Sequence, residues 1–81
     1  MNMNMLHLPD EYFQMKEIER IDMANHSMNN IKDVVKESIE NTDKHFIIML
    51  LETKVQMFVN EEEYEQAEFM NNCIKYINNN F

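Results

Sequence analysis

Few residues in this chain could do chemistry. Three histidines (His7, His26 and His45) and one cysteine, Cys73, are its only imidazole and thiol groups. Zinc and di-iron sites draw on short recurring spacings such as Cys-x-x-Cys, His-x-x-x-His or Glu-x-x-His. None of these occurs, so the sequence predicts no metal site and no cofactor. Cys73 falls mid-helix on an apolar stripe with Phe69 and Tyr76, where a thiol acts as a small buried hydrophobe. A nucleophilic cysteine needs an adjacent base, so the expectation is an inert core thiol. The chain has no glycine, which excludes phosphate-cradling loops and the sharp bend of a calcium loop. No catalytic set is expected, and the chain reads as a binding protein rather than an enzyme.

The densest charge is Glu61-Glu62-Glu63, followed by Glu65 and Glu68. Such a run at a helix start complements the helix dipole and otherwise presents an acidic patch. The formal net charge is −8, and the seven Lys and Arg residues are scattered. Direct binding to a nucleic-acid phosphate backbone needs clustered cations, as does an anionic membrane surface; neither is expected. An acidic surface suits a basic protein partner, or serves solubility.

These groups must be positioned by helices. Tight hairpin turns lean on glycine, so 81 residues with none, and with abundant Leu, Met, Glu, Lys and Gln, predict an all-α fold. One domain is the ceiling at this length. The reading is an N-terminal arm over residues 1–8, then a single helical domain over 9–81 with helices at about 9–23, 28–41, 43–59 and 61–78. Pro9 and Asp10 open the first helix. Ala24-Asn25-His26 breaks it, and Ser27 caps the second. The second carries Met28, Ile31, Val34, Val35 and Ile39 at helical period. The third is apolar on nearly all sides, with Phe46, Ile47, Leu50, Leu51, Val55 and Phe58 on its broadest face, so it must be covered on more than one side. Asn60 and Glu63 have the spacing of a capping box for the fourth. Short loops make neighbouring helices antiparallel.

The segment from Leu51 to Ile74 resembles the UVR helical hairpin known from the UvrB and UvrC excision-repair proteins. Tyr64, Glu65, Gln66, Ala67 and Ile74 fall on the places of that family's aromatic, acidic or amide pair, alanine and spaced aliphatic. The resemblance covers roughly residues 46–77. It implies an antiparallel helix pair, with the aromatic locking the turn and the alanine allowing close approach. It also implies protein–protein association without catalysis. Where the family has a second alanine and an Arg-Asp pair, this chain has Glu68, Asn71 and Asn72.

The third and fourth helices carry more apolar surface than thin neighbours can cover. Leu51, Val55, Met57, Phe58, Tyr64, Ala67, Phe69, Tyr76 and Phe81 are therefore the expected interaction surface, and a homodimer or higher oligomer is expected. A lone thiol and the absence of a leader-like N-terminus point to the cytoplasm. The longest apolar run, Phe46 to Leu51, is far shorter than the ~18–20 residues of a membrane span. Frequent asparagine suggests an AT-rich coding sequence, as in a low-GC bacterium or its phages. The function expected is a small adaptor or regulator directed at a protein. The alternative is an acidic mimic of nucleic acid that occupies a basic groove.

Overall fold

The computed structural model describes residues 8–81, and among these the fold is all-α. A single-turn 3-10 helix, Tyr12–Gln14, precedes α1 (Glu17–Asn30), α2 (Lys32–Asn41), α3 (Lys44–Asn60) and α4 (Tyr64–Asn80). The expected arm lies outside the described residues apart from Leu8.

Pro9 opens a turn rather than a helix: its carbonyl accepts from the Tyr12 N–H at 3.2 Å. The chain then runs extended through Met15 and Lys16. The Glu19 carboxylate accepts from the Lys16 backbone N–H at 2.9 Å, fixing the start of α1 several residues later than expected. The break expected at Ala24-Asn25-His26 is absent, and α1 continues to Asn30. Ile21, Ala24 and Met28 hold one face through this stretch; Ala24 and Met28 are buried, and alanine is the strongest helix former. Ser27 is thus interior to α1, and the break falls at Ile31, the one residue between α1 and α2.

The α3–α4 hairpin matches the expected boundaries closely, but its turn is built differently. Asn60 ends α3, where its side-chain oxygen accepts from Gln56 Nε2 at 3.3 Å. The expected capping box does not form. Instead the Glu63 N–H donates to the Phe58 carbonyl at 2.8 Å and the Glu62 N–H to the Val59 carbonyl at 3.0 Å. These paired bonds are a Schellman closure, and Glu62 takes the left-handed position at φ 60°.

The helix at the centre is α4, not α3. Seven of its residues are buried, among them Phe69, Cys73, Tyr76 and Ile77, with α3 packed on one side and α1 on another. Tyr12, Ala24 and Met28 complete that cluster. Phe58, from α3, is also buried. Burying a large side chain of this kind contributes roughly 1.5–3 kcal/mol. By contrast, α2 packs on α3 and has no buried residue.

Candidate interaction surface

The 3-10 turn tucks Tyr12 completely out of solvent. Arg20, one turn into α1, lies 5.9 Å from the Tyr12 ring centroid and 5.8 Å from that of Phe13. Its Nε donates to Glu68 Oε1 at 2.9 Å, and its Nη1 donates to the Met15 carbonyl. Among the described residues the Tyr12 hydroxyl makes no hydrogen bond of normal geometry, although the Glu68 carboxylate lies beside it. Burial and the neighbouring Glu68 carboxylate push this phenol far above its ordinary pKa, so it stays protonated. Nearer the C-terminal end of α4, the Tyr76 hydroxyl donates to Asn29 Oδ1 of α1. Tyr12 by packing and Tyr76 by this bond join the N-terminal part of the described chain to α4.

The expected interaction residues divide sharply. Phe58, Ala67, Phe69 and Tyr76 are core, and Phe69 and Tyr76 pack in one cluster with Ala24 and Met28 of α1. They are not surface for a partner. The sequence pattern marks the stripe as apolar but does not mark α1 as its cover, because the expected break at Ala24-Asn25-His26 removes α1 from that place. Leu51, Val55 and Phe81 are half-buried, with the Phe81 ring 6.3 Å from that of Tyr76. Only Met57 and Tyr64 stand exposed. Tyr64, at 53% exposure, does not lock the hairpin turn; Phe58 occupies that buried place instead.

The acidic set divides too. Glu61 and Glu62 are exposed, whereas Glu68 turns inward to Arg20. Local desolvation, a hydrogen bond with Glu61 and the like charges of Glu61 and Glu65 raise the Glu63 carboxyl above the ordinary range. The turn is therefore a site of mutual repulsion.

The free apolar surface extends past Met57 to residues outside the expected interaction set. Phe46, Met49, Leu50 and Met57 of α3 are exposed, as are Ile31 and Val34 at the start of α2, Val34 at 62%. Behind α2 lies an open groove of about 480 Å³. Met23, Met28, Val35, Leu51, Phe69 and Cys73 are among its walls, with Ser27 and Ser38 its only hydroxyls. Burial pushes the Cys73 thiol up to about 11, so it is protonated and unreactive at neutral pH.

His26 and His45 are both exposed, and His7 lies outside the described residues. Among the described residues no three His, Cys, Asp or Glu side chains group as metal ligands, and no helix is long and apolar enough to cross a membrane. Apart from Ser27, Ser38 and the Cys73 thiol, the described lining of the groove is apolar, which suits apolar contact. Comparisons with protein-family models, with curated proteins and with solved structures find no match to this chain.

Proposed function

We propose that this chain is a protein-interaction module, an adaptor or regulator that binds through apolar helix faces and performs no chemistry. The observation that carries the reading is the exposed apolar side of α3, where Phe46, Met49, Leu50 and Met57 stand at 44 to 53% exposure. A helix on the outside of a small domain normally turns polar residues outward, and exposed contiguous apolar patches mark interaction sites. The UVR-like resemblance belongs to the same reading: Ala67 and Ile74 are buried in the hairpin as that pattern requires, although Tyr64 is not. The acidic-mimic alternative has less support, since Glu68 is withdrawn into its pair with Arg20. A cytoplasmic setting and a phage or low-GC bacterial origin accompany the proposal on the strength of the single thiol and the composition.

The test is a photo-activated cross-linker at Leu50, compared with one at Glu37 on the polar side of α2, in cells expressing the chain. Protein adducts at Leu50 that are absent at Glu37 are the expected result. Equal or absent labelling at the two positions would remove the reading.

A further inference from the structure

We infer that the outer face of α3 is the seam on which a second copy of this chain docks, with the two α3 helices antiparallel. The inference rests on the interaction reading above and names its partner. Phe46, Met49, Leu50, Thr53 and Met57 recur at three- and four-residue steps, and all are exposed. They form one continuous stripe along a helix of 17 residues.

Charge selects the occupant. The stripe carries no charged residue, and α3 holds Lys44 and Lys54 against Glu52 alone. In α1, α2 and α4 the acids outnumber the bases. A chain of net charge −8 therefore meets itself along α3 with the least like-charge contact. A basic foreign protein would be drawn to the acidic groups, none of which lies on this stripe.

Charge also selects the direction. Glu61-Glu62-Glu63 follows directly on the C-terminal end of α3. Parallel docking would set two such runs side by side, and each is already self-repelling. Antiparallel docking separates them by roughly 25 Å, several times the ~8–10 Å screening length. It also brings each run to the Asp43-Lys44-His45 end of the other copy. That end carries the positive pole of the α3 dipole but is capped by Asp43, so the preference for antiparallel docking comes from keeping the two glutamate runs apart. A two-fold axis between Leu50 and Thr53 pairs Phe46 of one copy with Met57 of the second, and Leu50 with Thr53. The same surface serves both partners, as two-fold assembly requires.

The exposed area sets the strength. Taking the ~150–250 Å² of a large aromatic as the upper measure, the four half-exposed residues offer at most about 300–500 Å² per copy. Two copies together fall below the ~1,200–2,000 Å² of a stable interface. The dimer is accordingly a weak one, seen at high concentration and exchanging with monomer.

Sedimentation equilibrium over a wide concentration range tests the partner, and electron spin–spin distances test the direction. The expected result is a monomer–dimer equilibrium that Leu50→Glu weakens about tenfold or more while leaving the helical circular dichroism intact. A nitroxide on Asn60→Cys, in a Cys73→Ala background, should report a separation of roughly 25 Å or more between copies. A separation of about 10 Å, the interaxial distance of packed helices, would overturn the antiparallel assignment. A dimer indifferent to Leu50→Glu would overturn the surface. A monomer at all concentrations would overturn the second copy as partner, yet the wider reading would survive if the Leu50 cross-linker captured a different protein in cells.

Discussion

Arg20 and Glu68, 48 positions apart, meet at 2.9 Å and fasten α1 to α4. The guanidinium does three things at once: it pairs with the carboxylate, bonds the Met15 carbonyl, and lies against two aromatic rings. Surface pairs are worth little, but the Arg20 side chain is only 16% exposed. Arg20→Ala should therefore cost about 2–3 kcal/mol, read by urea denaturation. Arg20→Lys should recover only part of this, since an ammonium cannot hold the planar contacts. A loss of less than 0.5 kcal/mol, the range of ordinary surface substitutions, would show that the pair is incidental.

The left-handed Glu62 offers a gain. A non-glycine residue there costs about 1–2 kcal/mol, and asparagine tolerates the conformation better. Glu62→Asn also removes one charge from a repelling run. The expected outcome is a variant more stable by several tenths to about 1 kcal/mol, with the gain largest at low salt. A destabilised variant would mean that the turn is closed differently.

Continuity of α1 through residue 26 can be tested without disturbing side-chain packing, because His26 is exposed. His26→Pro should cost about 3 kcal/mol or more by interrupting the helix. Near-neutral behaviour would restore the break that the sequence suggested.

That break is the instructive miss. The absence of glycine made the helical class legible, and the apolar period of α3 and α4 placed the hairpin within a few residues. Ala24, Asn25 and His26 looked like a terminus because none is strongly apolar. Their helix is held by burial of Ala24 against α4, a tertiary effect invisible to local pattern. Once α1 is continuous, Phe69, Cys73 and Tyr76 have their cover within the chain. The surplus apolar surface then moves to Phe46, Met49 and Leu50. Periodicity shows which residues share a face; it does not show which neighbour covers that face.

The Cys73 thiol yields a pH signature. Its folded value of about 11 exceeds the ordinary 9.0 because burial disfavours the thiolate. The unfolded chain thus loses this proton first as pH rises. The contribution to stability is whole below the ordinary value of 9.0 and declines as pH climbs toward 11. Comparing wild type with Cys73→Ala cancels the other titrating groups, and the wild-type advantage should shrink across that window. A constant difference would place the thiol in contact with water.

The α3 seam is tested most directly by a dilution series followed by amide chemical shifts, from millimolar to low-micromolar protein. Concentration-dependent shifts should gather on Phe46, Met49, Leu50, Thr53 and Met57, with the α4 core residues Phe69, Tyr76 and Ile77 unmoved. Shifts centred on α4 or α1, or none at all, would contradict a second copy docked on α3.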